Sequence, residues 1–409
     1  MEQCEVIGTY ISDKRKQCGY TQQQVADYLK VSCQAVSKWE KGMSYPSVVV
    51  LKDLAHILGV SVDEILSGKD KELLDWEELG KGLEFSRYGR LRRHIAGYID
   101  HQDERLLYAK SSDAILYEPD LEKVEEPVLA FMVNNLGSKL KMIIDYEYHE
   151  LAGEELVNRL INELLVKGAK PILFSHTTIC GNIDGLTLEL LIKGLSSQCK
   201  ENHVTFAGSE VSFQPDSCAE KEYSMTGGII GVVDKKKMID GHKIKEGDSV
   251  IGIQGGGVTS SALLQRLIAK YPKIKGMRIG EQHFMDEVMR PTHCFYKALK
   301  EVIAEDYLHG LIHLINGIVL PRYYESVPNG LSVELDMRRI PVSPFYEQIM
   351  EVSGLDKEHM VRYFNLGIGM LVIVDQRYEE QVLASIGRYE ACWRIGKVIK
   401  GNQKVSIRH

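Results

Sequence analysis

Apolar positions recur at helical spacing near the N-terminus, and beyond Glu126 they give way to short apolar runs bounded by glycines. In TQQQVADYLKVSCQAVSKWEK, Thr21 to Lys41, residues Val25, Ala26 and Leu29 share one face of a first short helix. Val36 and Trp39 share one face of a second. Thr21 and Gln24 have capping-box spacing, and Ser32, after the turn at Val31, suits the start of the second helix. Pro46 stands at the start of a further helix, SVVVLKDLAHIL, which Gly59 ends. Ser61 and Glu64 form another capping box in SVDEIL, and Gly68 breaks the pattern. GKDKELLDWEELGKGLEF then keeps a helical period with Leu73, Leu74, Trp76, Leu79 and Leu83 as its apolar stripe.

The remainder reads differently. PVLAFMVNN, PILFSHTTI, HVTFAGSEV, GGIIGVVD, DSVIGIQ, LIHLIN, LSVELDM and MLVIVD have strand texture. LAGEELVNRLINELLVKGAKP is a long helix, and GGGVTSSALLQRLI is a glycine loop opening a helix. Strands alternate with helices, yet several strands follow one another, which predicts a mixed α/β architecture.

The polar positions of the second short helix carry the first chemistry. Gln34, Ser37 and Lys38 stand opposite Val36 and Trp39. Gln pairs bidentately with adenine, Ser donates or accepts, and Lys reaches guanine or phosphate, so this face suits a DNA major groove. The stretch from Glu5 to Gly68, with TQ opening one helix, VSCQAVSKWEKG, a proline and LGVSVDEIL, resembles the lambda-repressor/Cro-like (XRE-type) helix-turn-helix domain. The resemblance implies a DNA-facing set of Gln22, Ser32, Gln34, Ser37 and Lys38, with Gln22 on a phosphate. A helical bundle used for protein contacts is the alternative. Lys14, Arg15, Lys16, Lys30, Lys38, Lys41, Lys52 and Lys69 are matched by a similar number of carboxylates, so one copy binds weakly and a dimer is needed. The leucine-striped segment either packs on its own domain or sets the spacing of two such heads. The basic SRYGRLRRHIAGYID is a solvated face or a further DNA contact.

Composition narrows the rest. At 409 residues the chain holds two or three domains, and its 44 % apolar share is that of an ordinary globular protein. A net charge of -7 confines any DNA contact to a local patch. No apolar run reaches the roughly 20 residues of a membrane span. The first residues lack a signal-type apolar core, and the 8 cysteines show no CxxC pair or finger spacing. Reduced thiols in a cytoplasmic protein are expected.

The large region, from Phe85 to the C-terminus, resembles aminoimidazole ribonucleotide (AIR) synthetase, the ATP-dependent ring-closing enzyme of purine synthesis, and its superfamily. The marks are KGAKP at Lys167, GVVDKKKMIDGHKIKEGD, MRPTHCF at Met289, HLINGI at His313 and FNLGIGM at Phe364. The resemblance implies two α/β halves and an obligate homodimer in which the N-terminal halves pair into a shared β-barrel. It also locates departures. The family's metal-holding aspartates fall at Asn134, Glu163 and His176, and its glutamate at Glu210. Mg²⁺ needs hard oxygen ligands, and histidine suits softer metals. LLYAKSSDAILYEP replaces the family's glycine-rich phosphate cover. Lys139 keeps the family's lysine, Gly256 and Gly257 keep a loop before a helix N-terminus, Thr259 and Ser261 replace a histidine and an asparagine, and His313 and Asn365 match substrate-side positions.

The chain therefore reads as a helix-turn-helix head (1–68), a helical connector (69–100), and the N-terminal (101–233) and C-terminal (234–409) halves of a synthetase-like domain. The function expected is a DNA-binding regulator whose dimeric domain has lost catalysis and senses a small anionic metabolite, a nucleotide or a phosphoribosyl or purine intermediate; a nucleotide or phosphate is the ligand expected. No cofactor and no metal ligand are assigned. An active ATP-dependent enzyme with an autoregulatory head, and a ligand-free dimerisation platform, are the alternatives.

Overall fold

The computed structural model describes residues 3–70, 98, 103–108, 114–122, 124–181, 183–214, 216–258 and 260–408. Thr259, and the connector apart from Lys69, Asp70 and Tyr98, lie outside the described residues. The chain divides into two compact units, Met1–Phe85 and Ser86–His409.

The first unit holds α1 (Gln3–Gln17), α2 (Gln22–Leu29), α3 (Cys33–Glu40), α4 (Val48–Leu58) and α5 (Val62–Ser67). The caps fall where side-chain chemistry places them. Thr21 with Gln24 and Ser61 with Glu64 form reciprocal capping boxes, and Ser32 Oγ accepts from the Ala35 N–H. Lys30 closes α2 in the left-handed region at φ 52°, which makes the sharp turn into α3. Ile11, Val25, Ala26, Val36, Leu54 and Ile65 form the core. A polar clamp crosses it: Arg15 donates to Glu40 at 2.6 and 3.1 Å, and the Gln22 amide donates to Glu40 at 2.8 Å. Glu40→Ala strands the Arg15 guanidinium and is expected to destabilise this unit by about 2 kcal/mol. Faster hydrogen exchange of the α3 amides in the full chain checks this.

The second unit opens with a short antiparallel pair, β1 (Leu106–Tyr108) and β2 (Leu116–Tyr117). A four-stranded sheet follows, from β3 (Pro127–Asn135), β4 (Lys170–Cys180), β5 (Thr205–Phe213) and β6 (Tyr223–Asp234), in the order β3-β6-β4-β5. Helices α6 (Ser138–Asp145), α7 (His149–Leu165) and α8 (Gly185–Glu201) accompany it. Leu156, Leu160 and Leu164 of α7 press against the sheet where Gly227 and Gly231 carry no side chain. A Cβ at either glycine would lie 2.8 Å from a leucine methyl. On the other face Leu129, Phe131 and Val133 of β3 stand 66, 67 and 49 % exposed.

The C-terminal half is built on β7 (Ser249–Gln254), a hairpin of β8 (Arg278–Ile279) and β9 (Gln282–His283), β10 (Leu308–His313), β11 (Leu331–Asp336), β12 (Ile368–Val374), β13 (Cys392–Lys400) and β14 (Val405–Arg408). All but the hairpin form one sheet, ordered β10-β12-β7-β13-β11-β14. Its helices are α9 (Ser261–Lys270), α10 (Phe284–Met289), α11 (Tyr296–Leu299), α12 (Pro344–Ser353), α13 (Lys357–Met360) and α14 (Glu379–Ile386). The sequence reading had no β13 or β14. In CWRIGKVIK, lysines and a glycine interrupt the apolar alternation, and the strand forms because β7 and β11 flank it.

Candidate functional site

On the first unit, Gln34 and Lys38 are exposed and Ser37 is half-buried, all on α3 opposite Val36 and Trp39. Ser32 is engaged as the helix cap, and Gln22 is held by Glu40. These positions leave Gln34, Ser37 and Lys38 as the accessible polar groups among the five candidates.

In the second unit the candidate residues fall into separate groups. Asn134 of β3 and His176 of β4 both lie in register with Gly227, on one row across the sheet. Asn134 Oδ1 accepts the Asn135 N–H at 2.8 Å. His176 is buried against Phe206, and its Nε2 lies 3.1 Å from Thr178 Oγ1. Burial pushes its pKa down to about 3, only partly offset by the Gly208 backbone, so the ring is neutral. Glu210 pairs with Thr177 whereas His176 pairs with Ser209, so strand alternation turns Glu210 to the opposite face.

Lys139, kept from the family pattern, is 4 % exposed and fully engaged. Its Nζ donates to Glu155 Oε2 and to the Arg290 carbonyl, each at 2.7 Å. The same carboxylate accepts the Thr292 N–H at 2.6 Å and the Thr292 hydroxyl at 2.8 Å. Burial alone would raise the Glu155 pKa, but Lys139 and Thr292 outweigh it and hold it below the usual carboxylate range.

His313, at the end of β10, meets Glu163 of α7, with Nδ1 3.0 Å from Oε1. The neighbouring Asn162 amide explains the tautomer. Its Oδ1 accepts the Phe295 N–H and its Nδ2 donates to the His293 carbonyl, so Nδ2 also faces His313 Nε2, at 3.3 Å. Nε2 is then the acceptor, and Nδ1–H points at Glu163. Burial tends to raise the Glu163 pKa, but the hydrogen bond from His313, with the charges of Arg159 and Arg322, brings it below the ordinary value. Glu163 and His313 line a cavity of about 390 Å³, together with Lys167, Arg322 and Tyr323. The Arg322 guanidinium sits 5.1 Å from the centre of the Tyr323 ring.

The glycine loop is clamped from both sides. Gly255 N–H donates to the Gly367 carbonyl at 2.8 Å, and the Gly256 carbonyl accepts from His293 N–H at 3.2 Å. Gly257 has φ +81°, and a Cβ there would lie 2.6 Å from the Pro291 carbonyl oxygen. Asn365 is 2 % exposed. Its amide bonds Tyr346, Gly367 and the Leu314 carbonyl and so holds the FNLGIGM turn in place. Glu155, Asn162, Arg322 and Tyr323 escaped the sequence reading. The first two look like ordinary polar positions of a surface helix until the C-terminal half covers them.

Residues 11–65 match the Helix-turn-helix family, residues 112–233 the AIR synthase related protein, N-terminal domain, and residues 245–408 the corresponding C-terminal domain. The phosphoribosylformylglycinamidine cyclo-ligase of Clostridium tetani is 31 % identical over 305 residues, which span 73 % of this chain and 88 % of the relative. The chain belongs to the AIR synthase related family. The cyclo-ligase of Bacillus cytotoxicus is 28 % identical, over 69 % of this chain and 84 % of its own. The crystal structure of Escherichia coli HypE shares the fold, with a TM-score of 0.57 at 16 % identity, over 78 % of this chain and 94 % of that one. In this AIR synthase related chain a DNA-binding type of helix-turn-helix precedes the family's two domains. No helix among the described residues is long and apolar enough to cross a membrane. None of the eight cysteines is in a disulfide.

Two of the three aspartate positions do not fit the family's magnesium chemistry: Asn134 offers an amide oxygen already bonded to backbone, and His176 a buried neutral imidazole. The third, Glu163, keeps a carboxylate but meets His313, and Glu210, at the glutamate position, lies on the opposite sheet face from His176. Among the described residues no group of three His, Cys, Asp or Glu is placed to hold a metal ion.

Proposed function

We propose that this protein is a DNA-binding transcriptional regulator whose AIR synthase-like unit pairs into a homodimer and binds a small anionic metabolite in place of catalysing ring closure. The observation that carries the reading is the pairing of an accessible α3 face with the stripped metal side at Asn134 and His176. The exposed stripe of Leu129, Phe131 and Val133 supports the dimer, since apolar surface of this kind on one sheet face calls for a partner. Two heads on a twofold body then read two half-sites. The cavity beside Glu163 and His313, with Lys167 and Arg322 as cations, is the metabolite site. For the metabolite to alter DNA affinity it must favour one arrangement of the paired heads over the other.

Footprinting across genomic fragments tests the first half. Gln34→Ala is expected to weaken protection at the preferred site by about 1–3 kcal/mol and to relax its sequence preference. A protein that protects no preferred fragment, and binds DNA equally well with Gln34→Ala, is not a sequence-reading regulator. Thermal shift against nucleotides and purine-pathway intermediates tests the second half, because a ligand of the folded state raises apparent stability. A flat response leaves the dimerisation platform.

The second reading, a working cyclo-ligase with its own DNA-binding head, is favoured by relatives of that name aligning over most of their length. Magnesium-dependent ADP release with formylglycinamidine ribonucleotide would establish it.

A further inference from the structure

A larger cavity, of about 560 Å³, lies at the Lys170 end of the four-stranded sheet, away from the row of Asn134 and His176. Its position follows from register: Lys170 pairs with Val232, while His176 pairs with Gly227. At about 3.4 Å per residue the two levels are roughly 17 Å apart along β6. Leu165, Val232 and Ile303 supply an apolar floor, and Tyr296 an aromatic wall.

Lys170 at the start of β4, Lys237 in the turn after β6 and Lys300 after α11 all face this cavity. The lysines that flank Lys237 in the chain are paired: Lys235 and Lys236 with Glu126 and Glu125, Lys243 with Asp306 and Lys245 with Asp375. None of the three cavity lysines has a carboxylate within 4.0 Å among the described residues. The Asp234 carboxylate, also in the lining, is occupied by the N–H groups of Glu125, Glu126 and Lys236. Asp120 and Glu122 lie at the exposed rim, where they can accept from donors on a ligand.

We infer that this lysine-lined cavity is a second ligand site, for a small phosphorylated compound with a flat, N–H-bearing ring. Ammonium groups from separate elements meet the phosphate, Tyr296 and the aliphatic floor take the ring, and the rim acids accept its N–H groups. The volume suits such a molecule. Lys300 belongs to the C-terminal half and Lys170 to the N-terminal half, so an occupant touches both. The inference is independent of whether the protein reads DNA and of the cavity beside His313.

Titration calorimetry of the full chain with AMP, adenosine and inorganic phosphate as probes tests it. AMP is expected to bind saturably and more tightly than either fragment. A Lys170→Met, Lys300→Met protein is expected to lose roughly tenfold or more of that affinity, and Lys170→Arg, Lys300→Arg to recover most of it. His313→Ala takes away any AMP held in the other cavity, and the binding that remains is expected to keep its dependence on Lys170 and Lys300. Absence of saturable AMP or phosphate binding at millimolar concentration overturns the inference. So does AMP binding that the methionine variant keeps in full, or that His313→Ala abolishes.

Discussion

Phe131→Glu is expected to turn the protein into single chains. Phe131 sits between Leu129 and Val133 on the open face of β3, two-thirds exposed, while the other face of the sheet is covered by helices. On a twofold interface one substitution enters twice, and each copy buries an unpaired carboxylate. A loss of about 4 kcal/mol, roughly a thousandfold in the dissociation constant, is the expected scale. Light scattering at micromolar concentration reads the mass directly. Leu186→Glu, at an equally exposed leucine on α8, is the control and should keep the native mass. Phe131→Glu should also uncouple the heads on DNA and roughly halve the salt dependence of site binding. A Phe131→Glu protein with the native mass would place the interface elsewhere.

Glu155→Gln is expected to destabilise the second unit by about 3 kcal/mol or more, because it leaves Lys139 buried without a counter-charge. Calorimetry of the full chain measures the shift. Replacing both partners with apolar residues of similar size should do less harm than removing one. The pH dependence has a definite sign. The folded-state pKa of Glu155 is depressed, so its contribution is present in full above the unfolded value of about 4.3. It is lost as pH falls from there through the folded value, where the carboxylate protonates. Glu155→Gln should therefore flatten that part of the acid unfolding profile. A variant as stable as the parent at neutral pH would show that Lys139 finds another partner.

Much of this architecture was legible before any coordinates. The capping boxes at Thr21 and Ser61 and the strand at Pro127–Asn135 depend on local spacing, and each lies where spacing puts it. The site was less legible because its residues interact across long stretches of chain. Lys139 matched a family position, but its partners Glu155 and Arg290 come from elsewhere in the sequence and hold it in the interior. Gln22 has the chemistry of a phosphate anchor, yet Glu40 claims its amide. His313 and Glu163 were separate candidates, and only tertiary packing makes them one hydrogen-bonded pair. Asn162 carried no signal at all, since an asparagine inside a helical period resembles any solvated position.

The contact of Lys139 with Glu155, Thr292 and the Arg290 carbonyl has a mechanical consequence. Hinge bending between the halves of the synthetase-like unit would have to bring an ammonium and a carboxylate out of the interior together. Each protomer body is thus stiff across its own middle. In the homodimer proposed above, such a body would pass on a message by tilting whole, and the seam between the two copies would set how far it can tilt.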